Sequence, residues 1–219
     1  MPTTWRDIAT KIRGRERDHV RLLATVLNAD DGKVFANDLI AVGVAHRSLE
    51  LTKAFLSMLR SGNLLCAGAL LRMQVDNILR LHAASLFTSG NAVLNAFLKE
   101  QPLSRLRAPD GAKLTDQELV RRVSKAYPWV PSVYDKTSGF IHFSLPAVLG
   151  PLHSINDSGR FAFHLGWRRR RRWRPSERLE AAEAFDAATR AVLDMIYAWG
   201  YTKARGGKNR PGPLGDRVA

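Results

Sequence analysis

Apolar residues return every three to four positions along most of this chain, the spacing that gathers them on one face of an α-helix. Thr4, Trp5, Arg6 and Asp7 read as a capping box in which a short carboxylate stands where glutamate is usual. They open a helix reaching about residue 28, with Gly14 as the expected break inside it. A second helix is predicted over residues 35–60, with Leu39, Val42, Leu49, Phe55 and Leu59 among its apolar positions. After Ser61 and Gly62, a third covers residues 63–87 and is apolar around most of its circumference, as a bundle's central helix would be. Residues 91–100 make a short fourth helix ended by Pro102, and residues 102–113 a polar loop. Thr115, Asp116, Gln117 and Glu118 form a second capping box, opening a fifth helix that Pro128 stops.

The pattern changes beyond Pro128. Pro131, Pro146 and Pro151 confine the next helix to about residues 132–143. Residues 152–155 and 160–165 then flank Asn156, Asp157, Ser158 and Gly159, a turn-forming cluster. Phe161, Phe163 and Leu165 alternate with Arg160, Ala162 and His164, so a β-hairpin is predicted over about residues 152–167. A basic run at residues 168–174 leads into a last helix beginning at Pro175, with Leu179, Ala182, Phe185, Val192, Met195, Ile196 and Trp199 on its core face. Gly206, Gly207 and a Pro-Gly-Pro triplet mark residues 201–219 as a disordered basic tail. The expected fold is mainly α: a single helical bundle over residues 1–200 with a small β-hairpin before the last long helix.

Composition narrows the class. A chain of 219 residues, 45% hydrophobic, can bury one sizeable core. Its one cysteine, Cys66, leaves no internal disulfide and no cysteine-cluster metal site. The charged N-terminal stretch lacks the apolar segment of a signal peptide. The most apolar run, residues 64–71, is far shorter than the ~20 residues of a membrane span. A cytoplasmic protein without a membrane anchor is expected. The net charge is +14, and it is concentrated in the basic run and the tail, so basicity is a local feature rather than a general one.

Three groups of residues carry candidate chemistry. Arg72, Asp76 and Arg80 repeat at four-residue steps on the most apolar helix and fall within a stripe of about 80°. Such a stripe is either a row of solvated ion pairs or a polar seam whose two guanidiniums hold an anion such as phosphate. Tyr134, Ser138 and His142 recur at the same step, with Lys136 among them. On a helix they share a face, where a histidine can serve as acid or base or can simply be buried with its nitrogens satisfied. His46 and Glu50 lie four apart, with no third ligand at metal spacing. No glycine-rich phosphate loop, HExxH or Gly-x-Ser-x-Gly motif is present, and neither a metal nor another cofactor is expected.

The third group is the basic run. If the second hairpin strand continued through it, Arg168, Arg170, Arg172 and Arg174 would share one face. Arg169 and Arg171 would lie on the other, with Trp167 and Trp173. Arginines on both faces are too costly to bury and must project from the body. The tryptophans then either anchor the strand or stack on unpaired bases, at ~1–3 kcal/mol per base.

The layout resembles the HEPN-type helical bundle, in particular bacterial members near the abortive-infection proteins. The shared features are the long helix LLRMQVDNILRLHAASLF, the proline-bounded segment YDKTSGFIH with its Tyr-x3-Ser-x3-His pattern, and the last long helix. Active members of that family are metal-independent ribonucleases that work as dimers, with four to six residues intervening between an arginine and a following histidine. Of that pair only His142 matches; Lys136 stands where the arginine would be, keeping the charge but losing the bidentate fork. The resemblance therefore implies a nucleic-acid-binding protein, non-catalytic or an adaptor in a bacterial defence or toxin-type system. RNA is a more expected partner than DNA, an acidic protein is the other candidate, and a homodimer is implied. The alternatives are a metal-independent endoribonuclease using His142 with Lys136, oriented by Tyr134 and Ser138, and a sensor of a small anionic ligand through Arg72 and Arg80.

Overall fold

A computed structural model describes residues 3–87, 91–141 and 174–206, and the backbone alone of residues 152–155 and 161–163. Its helices are α1 (Trp5–Asn28), α2 (Ala36–Ser61), α3 (Leu64–Ser85), α4 (Asn91–Leu98), α5 (Asp116–Val123), α6 (Val130–Ile141) and α7 (Pro175–Ala204). The protein is mainly helical, and the long helices form a bundle. The reciprocal box at Thr4 and Asp7 is present: Thr4 N donates to Asp7 Oδ2 at 2.8 Å, and Asp7 N to Thr4 Oγ1 at 3.4 Å. Gly14 does not break α1, which runs unbroken because Ile8, Ile12, His19 and Val26 bury one face and outweigh a cost of about 1 kcal/mol.

α3 occupies the centre, packed against α2, α5, α6 and α7, while α1 lies along α7 and α2. α1 and α7 run parallel: Trp5 sits by Arg178, Arg15 by Asp186, and Val26 by Gly200. Gly62, at φ 74°, adopts the left-handed conformation that ends α2 and lets α3 fold back on it. The face that α2 turns inward carries Ile40, Val44, Ser48, Leu51, Phe55 and Leu59. Leu39, expected among its apolar positions, is instead 46% exposed. Phe55 stacks on Phe185 of α7 with ring centroids 4.0 Å apart, tying the second and last helices at mid-core.

Three boundaries differ from the sequence expectation. Pro131 sits inside the first turn of α6, where its missing N–H would have had no partner anyway. α5 ends at Val123, before Pro128. α7 continues to Ala204, so residues 201–204 are helix rather than tail, and Lys203 is fully buried. Leu152–Ile155 and Phe161–Phe163 are short extended segments whose backbones pair antiparallel, Ile155 opposite Phe161. The rest of the predicted hairpin lies outside the described residues. Among the described residues, no helix is long and apolar enough to cross a membrane.

Candidate functional site

The Arg72, Asp76 and Arg80 stripe lies on the side of α3 that meets α5 and α6, with Arg72 buried and the other two partly so. Asp76 receives Arg80 at 2.6 Å and, from α2, Arg47 at 2.9 Å. Arg80 also reaches Asp116 at 3.0 Å, and Arg72 reaches the same carboxylate at 3.4 Å. Asp116 stands at the start of α5 because Thr115 caps that helix, accepting from Glu118 N at 3.2 Å. The box is one-sided: the Glu118 carboxylate turns to Arg121 and Arg122, whose hydrogen bonds push it down to about 2. Burial works against the Arg80 charge, but the carboxylates of Asp76 and Asp116 outweigh it and raise the arginine above its ordinary value.

Tyr134 and Ser138 belong to the same place. The Arg72 guanidinium lies 3.8 Å from the centre of the Tyr134 ring, and the Tyr134 hydroxyl approaches Asp116 at 3.5 Å. Together Arg47, Arg72, Asp76, Asp116, Tyr134 and Ser138 line an open pocket of about 310 Å³, flanked by Met73 and Ile141. Two groups that the sequence presented separately therefore share one site. Lys136 does not join it. At about 100° per residue it points away from Tyr134 and Ser138, and it pairs with Glu180 of α7 at 3.0 Å. His142 lies outside the described residues.

From this pocket a line of hydrogen bonds crosses the core. Arg47 Nη1 donates to Asn77 Oδ1 at 2.8 Å, and Asn77 Nδ2 to Gln74 Oε1 at 3.0 Å. Gln74 Nε2 donates to Ser48 Oγ at 2.7 Å and to Thr189 Oγ1 at 3.1 Å. His19 Nε2 meets Ser48 Oγ at 3.0 Å and its Nδ1 meets the Arg15 carbonyl at 2.7 Å. A carbonyl can only accept, so Nδ1 carries the proton and Nε2 accepts from Ser48. Every donor in the line points the same way, from Arg47 toward α1, and the histidine is satisfied while neutral. Burial holds His19 below its ordinary value.

Arg47 and the pairing role of Asp116 were missed in the sequence. Arg47 sits beside His46, which drew attention only as an i, i+4 partner of Glu50; both of those are exposed. Asp116 read as a capping residue alone. Among the described residues no three histidine, cysteine or acidic side chains cluster as metal ligands do. Of the basic run, Arg174 is exposed at the entry to α7, with its N–H on Glu177 Oε2 at 2.8 Å. Trp167, Arg168, Arg169, Arg170, Arg171, Arg172 and Trp173 lie outside the described residues. Set against known protein families, curated proteins and solved structures, the chain matches none of them, so its chemistry is read from its own residues.

Proposed function

We propose that this chain is a nucleic-acid-binding helical protein of HEPN-like type, a non-catalytic or adaptor member of a bacterial defence or toxin-type system with RNA as its preferred polymer. The observation that carries the non-catalytic part is the position of Lys136. It is the one cation within the Tyr-x3-Ser-x3-His segment, and it is spent on Glu180, on the opposite side of α6 from Tyr134 and Ser138. Binding rests on the net charge of +14 and on the basic run, carried in this reading by a hairpin over residues 152–167. Phosphate-directed arginines position a nucleic acid without reading its sequence, so binding is expected to be sequence-independent.

The competing reading is a metal-independent ribonuclease. His142 would take the proton of a ribose 2′-hydroxyl, and Lys136 would leave its exposed ion pair, a weak attachment, to stabilise the phosphorane charge. Incubating the purified protein with total RNA in the presence of a chelator separates the two. Intact RNA, retained on the protein at low salt, is the expected result. Fragments ending in 2′,3′-cyclic phosphate, absent from the His142→Ala variant, would establish the ribonuclease instead.

A further inference from the structure

The charges around the pocket form an open line. Arg47, Asp76, Arg80, Asp116 and Arg72 follow one another through contacts of 2.9, 2.6, 3.0 and 3.4 Å, cation and anion alternating, with an arginine at each end. Arg80, in the middle, has a carboxylate on both sides and does not line the pocket. Arg47 and Arg72, the two ends, have one carboxylate each, and both line it. Arg47 uses only Nη1, and Arg72 only Nη2, for hydrogen bonds among the described residues, so each guanidinium has an edge left over. The Arg47 side chain is also the most open of the three arginines, at 38% exposure.

One further negative charge placed between the two ends would close the line into a ring of three cations and three anions. A single charge closes it, whereas a doubly charged phosphomonoester would overshoot. A phosphodiester carries one. The pocket, at about 310 Å³, is larger than a bare oxyanion and lies at the small end of the range for organic ligands. Its other polar groups are the hydroxyls of Tyr134 and Ser138 and the carboxylates of Asp76 and Asp116. Carboxylates repel a bare polyanion and want hydroxyl donors, and a ribose supplies those beside its phosphate.

We propose that Arg47 and Arg72 clamp one phosphodiester of a ribonucleotide, with a ribose hydroxyl donating to the carboxylates of the pocket. For its ligand class the proposal rests on the nucleic-acid reading above. The same chemistry is offered by an internal residue of single-stranded RNA and by a free cyclic ribonucleotide. The two probes are therefore a short labelled oligouridylate, followed by anisotropy, and 3′,5′-cyclic AMP, followed by calorimetry.

Arg47→Ala is expected to weaken binding of whichever probe the wild type takes by about tenfold or more, the loss of a charged hydrogen-bonding partner. Circular dichroism checks its fold, since Arg47 also holds Asn77. Ser138→Ala leaves the ionic line intact and is expected to weaken binding by a smaller factor. Unchanged affinity for both probes in both variants overturns the pocket. Cyclic AMP binding lost with Arg47, alongside no oligouridylate binding, keeps the pocket and removes the RNA reading. Oligouridylate binding that survives Arg47→Ala but vanishes when Arg168, Arg169, Arg170, Arg171 and Arg172 become serine keeps the RNA reading and removes the pocket. Binding of neither probe removes both.

Discussion

Lys203 and Asp38 meet at 2.9 Å with both side chains wholly buried, joining the end of α7 to the start of α2. The ammonium also donates to the Val26 carbonyl at 2.8 Å, and Asp38 accepts from Trp199 Nε1 at 2.7 Å and from Phe35 N at 2.8 Å. A pair so fully hydrogen-bonded repays much of its desolvation, but either partner left alone is an uncompensated buried charge. Lys203→Met is expected to cost about 3–5 kcal/mol in urea unfolding, and adding Asp38→Asn to recover part of that loss. Equal and additive losses would contradict the pairing. His19 gives a second prediction at this scale. Neutral in the fold and held below its ordinary value, it charges in the unfolded chain first, at about pH 6.5. Stability is therefore full above that pH and falls as pH drops from there toward the lower folded value. His82, depressed by burial and by Arg122, acts in the same direction. Urea midpoints at pH values on either side of 6.5 should show the decline, and His19→Gln should make it shallower.

Between elements, distances of closest approach decide what a residue tolerates. A Cβ added at Gly68 of α3 would lie 2.4 Å from Phe140 Cδ2 of α6, so Gly68 lets the two helices meet at the level of the pocket. Gly68→Ala is expected to push Phe140 aside and destabilise by about 1–3 kcal/mol, the usual cost of overpacking. Gly43, on the open face of α2, has nothing within 4 Å of the same added atom. There the change to alanine should stabilise by about 0.5–1 kcal/mol through helix propensity alone. Opposite signs in thermal unfolding of the two variants are the expected outcome, and equal signs would refute the packing argument. The buried line from Arg47 to His19 works at the same scale. Gln74 is bonded to α2 through Ser48 and to α7 through Thr189, which fixes the relative register of three helices.

At the scale of the molecule, charge is the dominant property. Folding pairs many cations with neighbours: Arg15 with Asp186 at 2.6 Å, Arg122 with Asp110 at 2.6 Å, and Arg47, Arg72 and Arg80 with the carboxylates of Asp76 and Asp116. The basic run adds five consecutive arginines and Arg174 to that body. Under the nucleic-acid-binding reading proposed above, affinity for RNA should fall steeply with salt, and replacing the five with serine should weaken binding and flatten the slope. The flattening would reach about 0.9 per lost phosphate contact on duplex DNA and less on a single strand. Equal affinity of wild type and serine variant at low salt would show the run to be a solvated edge.

Periodicity is a local property, and what it governs was legible in the sequence. The helical class, the capping at Thr4, the central place of the third helix and the Arg72–Asp76–Arg80 stripe all depend on residues within a few positions of one another. The pairing of that stripe with Arg47 and Asp116 depends on how α2 and α5 dock on α3, which spacing along one helix does not contain. For the same reason the spacing of Tyr134 and Ser138 along α6 did not show that they line the pocket with Arg47 and Arg72. Lys203 read as part of a basic tail because a lone lysine after an apolar helix is usually solvated. Only the docking of α7 against α1 and α2 brought Asp38 and the Val26 carbonyl within reach of its ammonium. The sequence by itself determined which faces are apolar; the tertiary structure decided which polar groups meet across them, since contacts between distant segments exist only once the core has closed.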